Sequence, residues 1–314
     1  MKIAFLFPGQ GSQTVGMGKD FFDSFDKVKE IYNKANEITG IDVAKISFDD
    51  PDEMLNKTKY TQICIYTLSM AILKLITDIN IKANITCGLS LGEYSALTCA
   101  NVISLEDGFT IVSKRGELMQ NLAPSGNYLM SAVLGLDDES VDNVCKEITP
   151  GFVRAVNYNC PGQVVISGDK EAVEEACKAL NLKGAKTIPL KTSGPFHTEK
   201  LNDASEALKV ELGKIKFNKL DIDVIKNIDG TLYTDEEDYV KTLSNHVINP
   251  VYFSKSIQRM LDGGVDTFVE IGPGKTLSSF VKRMTKDRNI KVYSINCIEA
   301  FNNFVAEHNM FLND

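Results

Sequence analysis

Between residues 85 and 100 the chain changes character twice. A short apolar run, Ile85-Thr86-Cys87, leads into Gly88-Leu89-Ser90-Leu91-Gly92, and Glu93-Tyr94-Ser95-Ala96-Leu97 follows with helical character. The middle segment has the G-x-S-x-G spacing of a nucleophile elbow, where a serine sits on a sharp strand-to-helix turn and the flanking glycines let neighbouring backbone pass close by. The spacing alone is also compatible with a plain turn. The strand before it and the helix after it are the setting that the elbow requires.

The rest of the N-terminal half agrees with that setting. Lys2 to Phe7 is almost wholly apolar, as in a strand buried on both faces. The loop Pro8-Gly9-Gln10-Gly11-Ser12-Gln13 comes next, then helical segments to about Ile38. Ile63, Tyr66, Met70 and Leu73 fall at helical spacing within Thr61–Thr77, and a further helix is expected over Glu106–Leu122. Alternating strands and helices imply an α/β layer structure with a parallel sheet. After Pro124-Ser125-Gly126 the order becomes strand 128–134, helix 138–148, strand 153–157, strand 163–167, helix 170–180 and strand 185–190. This βαββαβ order is the ferredoxin-like unit. The expected fold is therefore a large, α/β hydrolase-like parallel-sheet domain, residues 1–124 and 194–314, with a small ferredoxin-like domain, residues 125–193, inserted into it. After Ser193-Gly194-Pro195 a long helix is expected, then strands near Ile222–Ile225 and Thr267–Ile271.

Composition narrows the function. Lys+Arg 34 against Asp+Glu 42 leaves a net charge of −8, which argues against nucleic-acid binding on a basic surface. The longest uncharged run, Leu118–Leu136, contains Gln120, Asn121, Pro124, Gly126 and Asn127, so it is not a membrane span. The apolar N-terminus is too short for a signal peptide and ends in Pro8-Gly9. The 7 cysteines are scattered with no C-x-x-C pair, which suggests neither a disulfide framework nor a zinc site. Reduced thiols in the cytoplasm are the expectation.

A serine needs a base to become a nucleophile at neutral pH. The chain has 3 histidines, His197, His246 and His308. His197 follows Gly194-Pro195-Phe196 at the expected domain junction, where a cleft would lie, and is the preferred base. Arg115 shares a helix face with Ile111, Leu118 and Leu122 and has no acid three or four residues away. It is read either as an anion-binding group or as a tertiary salt bridge or snorkelling side chain. A phosphate-loop reading of Gly9-Gln10-Gly11 fails, because the third glycine of G-x-G-x-x-G would fall at Thr14.

Taken together, Phe7-Pro8-Gly9-Gln10-Gly11-Ser12-Gln13, Ser90-Leu91-Gly92-Glu93-Tyr94-Ser95-Ala96-Leu97, Arg115-Gly116 and Gly194-Pro195-Phe196-His197 resemble the malonyl-CoA:acyl carrier protein transacylases. The stretches from Asn157 to Val165 and Ile271-Gly272-Pro273-Gly274-Lys275 extend the likeness over nearly the whole chain, whose length suits a free-standing bacterial member. The resemblance implies ping-pong transfer of malonyl from malonyl-CoA to the phosphopantetheine thiol of acyl carrier protein, with no metal or redox cofactor. Ser90 would be the nucleophile and His197 the base and then the acid. The backbone N–H groups of Gln10 and Leu91 would form the oxyanion hole, and Arg115 would grip the malonyl carboxylate. Asn159 and His246 complete the expected substrate-binding set. Two positions depart from the common pattern. Leu89 stands where histidine is usual, and His246 where glutamine is common and its main-chain carbonyl orients the catalytic histidine. A serine hydrolase or thioesterase and a non-catalytic carrier-protein docking module are the competing readings. For docking, Lys275, Lys282, Arg283, Lys286, Arg288 and Lys291 against Asp287 make a basic stretch, with Lys186 and Lys191 as second candidates; a solvated helix face is the alternative.

Overall fold

The computed structural model describes residues 1–124, 126–190, 194–287 and 289–311, the last three without their side chains. Ser125, Lys191, Ser193 and Arg288, each named above, lie outside the described residues. Among those described, the strands are β1 (Ile3–Phe7), β2 (Ile85–Gly88), β3 (Tyr128–Leu134), β4 (Val153–Cys160), β5 (Gln163–Asp169), β6 (Lys186–Pro189), β7 (Asp223–Val224), β8 (Thr267–Ile271) and β9 (Lys291–Ile295).

Every residue of β1 is buried, because it is the central strand of a parallel sheet of order β7-β2-β1-β8-β9. Its apolar sequence is that of a strand covered on both faces. The helix Thr58–Asp78 covers one side and is buried along nearly its whole length. It is long and apolar enough to cross a membrane by length and composition alone, but 83% of its most apolar window is buried inside the protein. A helix that is hydrophobic all round belongs in a core when other elements cover it. Here the helices Asp26–Thr39 and Leu105–Asn121 pack against it.

The inserted βαββαβ order is present. Its four strands pair antiparallel in the order β4-β5-β3-β6, the ferredoxin-like arrangement. Period-2 alternation gives this sheet two jobs. Val133, Val164 and Ile166 face a small core with Val141, Val144, Ala172 and Val173 of the two helices Asp138–Glu147 and Lys170–Leu182. Met130, Ala132 and Val165 point the other way, toward the large sheet. β4 is tied to the large sheet's side by Tyr158 N–H to Val251 C=O and Val251 N–H to Val156 C=O, both 2.8 Å, and by a 4.9 Å stack of Tyr158 on Tyr252.

The structure departs from expectation after Gly194. The long helix is a short 3-10 turn, Glu199–Leu201, followed by the helix Asn202–Leu212, and the strand expected near Ile222–Ile225 is only the two-residue β7. β9, which the sequence reading omitted, is an edge strand with only Ile295 fully buried, so it carries no continuous apolar signal.

Candidate active site

The elbow forms where β2 ends against β1. A Cβ at Gly88 would collide with the carbonyl of Gly92, and one at Gly92 with the carbonyl oxygen of Phe7, so both glycines are required for the turn to close against the sheet. Ser90 stands at the apex with φ 54°, a left-handed conformation that costs a serine about 1–3 kcal/mol unless its surroundings hold it. Asn227 does so. Its Oδ1 accepts the Ser90 N–H at 2.7 Å and its Nδ2 donates to the Gly88 carbonyl at 2.7 Å.

His197 comes 107 residues later and places Nε2 2.8 Å from Ser90 Oγ. Its Nδ1 lies 3.0 Å from the His246 carbonyl oxygen and 3.1 Å from that of Asn249. Carbonyls only accept, so Nδ1 carries the proton and Nε2 is left to accept the serine hydroxyl. Burial, then the neighbouring His246 and Arg115, hold the His197 pKa well below 6.5. The imidazole is therefore neutral, and able to take a proton, at physiological pH.

Arg115 sits on the helix Leu105–Asn121, whose N-terminus is capped by the Ser104 hydroxyl accepting the Asp107 N–H. It is 1% exposed and, among the described residues, forms no ion pair with any carboxylate. Its guanidinium donates to Gln62 Oε1 at 2.7 Å and to Ser90 Oγ at 3.1 Å, lies over the Tyr94 ring, and leaves Nε without a partner. Burial lowers its pKa, but a guanidinium stays charged. Neither the snorkelling nor the salt-bridge reading describes this side chain. A buried, unpaired cation aimed at a serine hydroxyl is chemically suited to receive an anion.

These groups open into a cleft of about 510 Å³ between the two sheets. Gln10, Ser90, Arg115, Asn159 and His197 line it. Asn159 is 5% exposed, and its Oδ1 has no partner among the described residues. The Gln10 side chain donates to Thr58 Oγ1, and the backbone N–H groups of Gln10 and Leu91 enter no other hydrogen bond among the described residues. The Leu91 side chain is fully buried away from the cleft. His246, expected among the substrate-contacting residues, does not reach the cleft wall. Its ring is fully buried behind His197, and its carbonyl, not its ring, contacts the His197 Nδ1. Among the described residues there is no cluster of three or more His, Cys, Asp or Glu suited to hold a metal ion.

Residues 4–299 match the acyl transferase domain family. A malonyl CoA-acyl carrier protein transacylase of Bacillus subtilis is 39% identical over 297 residues, 94% of this chain and 93% of that protein. The chain belongs to the malonyl CoA-acyl carrier protein transacylase family. The crystal structure of a transacylase of that name from Clostridium perfringens superposes with a TM-score of 0.94 at 43% identity, covering 99% of this chain and 98% of the other. A malonyl-transacylase solved in complex with a type II PKS acyl-carrier protein gives a TM-score of 0.91 at 36% identity, covering 96% and 97%.

Two residues that hold this transacylase-family site together were not singled out from the sequence. Gln62 carries no motif, although its place on an apolar helix at 1% exposure makes it a buried polar group in need of a partner, which Arg115 supplies. Asn227 lies in the loop after β7 and has no local signal at all.

Proposed function

We propose that the protein transfers malonyl from malonyl-CoA to the phosphopantetheine thiol of acyl carrier protein through a malonyl ester on Ser90, supplying fatty-acid or polyketide synthesis. The observation that carries this reading is the meeting of a serine–histidine pair and a buried, acid-free arginine on one serine oxygen. Ser90 Oγ attacks the thioester carbonyl carbon while its proton passes to His197 Nε2. The carbonyl oxygen gains the electron pair and is met by the backbone N–H groups of Gln10 and Leu91. Collapse breaks the carbon–sulfur bond, and His197 returns the proton to the departing CoA thiolate. The carrier thiol then repeats the sequence in reverse order, with His197 first base and then acid. Throughout, Arg115 holds the malonyl carboxylate with a two-pronged charge-assisted bond. Asn159, with its open Oδ1, is assigned to the substrate as well.

The test is incubation with radiolabelled malonyl-CoA and mapping of the label. Stable malonyl on Ser90, absent in Ser90→Ala, is expected. Rapid release of free malonate would indicate a hydrolase, and no label at all a docking module.

The acidic carrier is assigned to the basic stretch beside the cleft. The helix Thr276–Met284 presents Leu277 and Phe280 to the cleft, while Lys282, Arg283 and Lys286 are exposed at its end. Arg283 reaches Gln163, on the cleft wall, at 2.6 Å. Charge reversal at Lys282, Arg283 and Lys286 is expected to raise KM for the carrier protein and leave KM for malonyl-CoA alone; equal effects on both would reject the assignment. The same proposal treats residues 125–193 as a subdomain inserted between 1–124 and 194–314. It also places the protein in the cytoplasm, where its 7 free cysteines would stay reduced.

A further inference from the structure

Glu93, in the first turn of the helix behind the elbow, is 1% exposed, and the acyl-transfer steps above do not use it. A carboxylate is almost never buried so completely without partners. This one has three. Oε1 accepts the Asn227 N–H at 3.1 Å and the Tyr233 hydroxyl at 2.9 Å, and Oε2 lies 2.7 Å from His246 Nδ1, off the line of a regular hydrogen bond. Two of these partners also hold the reacting pair. Asn227 fixes the Ser90 N–H and the Gly88 carbonyl, and the His246 carbonyl fixes His197 Nδ1. None of Glu93, Asn227, Tyr233 or His246 lines the cleft.

We propose that Glu93 is a positioning residue whose single buried carboxylate joins the segment that sets Ser90 to the segment that sets His197, and so fixes the 2.8 Å spacing between Oγ and Nε2. The three contacts come from residues 134, 140 and 153 positions along the chain from Glu93, so no local structure keeps the two segments in step. The carboxylate does this with Oε1 accepting two hydrogen bonds and Oε2 set 2.7 Å from His246 Nδ1. An amide in its place keeps the acceptor for Asn227 and Tyr233 but removes the negative charge and puts an NH2 group where an oxygen lies 2.7 Å from His246 Nδ1, which alters the histidine side of the link. As a positioning role in acyl transfer the inference rests on the proposed function, but the spacing itself can be read without malonyl.

The readout is the rate at which a fluorophosphonate reagent modifies Ser90, with Ser90→Ala as the blank. That reaction needs only the serine–histidine pair: the Oγ–phosphorus bond forms, fluoride leaves and His197 takes the proton. In Glu93→Gln the modification is expected to slow on the order of 10²-fold, the effect of a misplacement of about 1 Å at a reacting pair. Where malonyl transfer is measured, kcat should fall in parallel with KM for malonyl-CoA unchanged. Tyr233→Phe deletes one hydroxyl and disturbs the core least, and it should show the same split at smaller size even if Glu93→Gln fails to fold. Modification at the wild-type rate in the folded variants, whatever their Tm, would overturn the proposal. Failure of the wild-type protein to take malonyl while Ser90 still reacts with the fluorophosphonate would count against the acyl-transfer reading alone.

Discussion

Arg115→Ala is expected to lower the ratio of malonyl to acetyl specificity constants by roughly 10²–10³ or more, because breaking a desolvated charge pair typically costs about 3–5 kcal/mol. The two acyl groups differ by one carboxylate and share the CoA portion, so only a cation in the acyl pocket can separate them strongly. Arg115 is the buried cation on the cleft wall; it has no carboxylate partner among the described residues, and one of its nitrogens lies 3.1 Å from Ser90 Oγ. A malonyl carboxylate would replace part of the hydration that the guanidinium gave up on folding, whereas an acetyl methyl offers it nothing. In the alanine variant, malonyl must be buried with its charge unanswered, and acetyl transfer should hold or rise. Arg115→Lys should recover only part of the ratio, because a point charge lacks the guanidinium fork that Gln62 holds in place. A ratio that stays at the wild-type value would make Arg115 a structural residue and reject its place in the pocket.

His197→Ala is expected to slow both half-reactions by about 10²–10⁴, the usual contribution of a positioned acid–base group. Loss confined to one half-reaction would mean that another group serves the other step. In the wild-type protein the acid limb of kcat/KM should lie below pH 6.5. The sign follows from the causes: burial disfavours the imidazolium, and His246 and Arg115 beside it act in the same direction. The base form therefore persists as pH falls through 6.5 and is lost only below it. A limb centred at or above 6.5 would contradict the burial of His197 in the working enzyme.

Local signals carried much of the architecture. The inserted unit was legible because β3, β5 and the helix Lys170–Leu182 each combine a clear period with glycines at the turns, and each strand alternates between two faces that are both covered. The segment after Gly194 was harder to read. There β7 is held by two residues of pairing with β2, and the helix Asn202–Leu212 starts from a 3-10 turn. Elements that short draw their stability from what they pack against, and that is not written in their own sequence.

At the site the division is sharper. The strand–turn–helix around Ser90, the glycines that permit it and the preference for His197 were legible in the chain, because each follows from a local pattern or from the small number of candidates. The helix face expected to carry Arg115 was legible only in part, since Ile111 is buried with it but Leu122 is 38% exposed. Folding alone brings the His246 carbonyl forward with its ring behind the cleft, sets Gln62 against Arg115, and sets Asn227 against both Ser90 and Glu93. The Asn227 and Glu93 contacts span 134 and 137 residues of chain, and the histidine's hydrogen bonds to the serine and to His246 span 107 and 49. A buried polar group must find a partner once water is excluded, but which partner it finds depends on how the two sheets pack, and no periodicity in the chain encodes that choice.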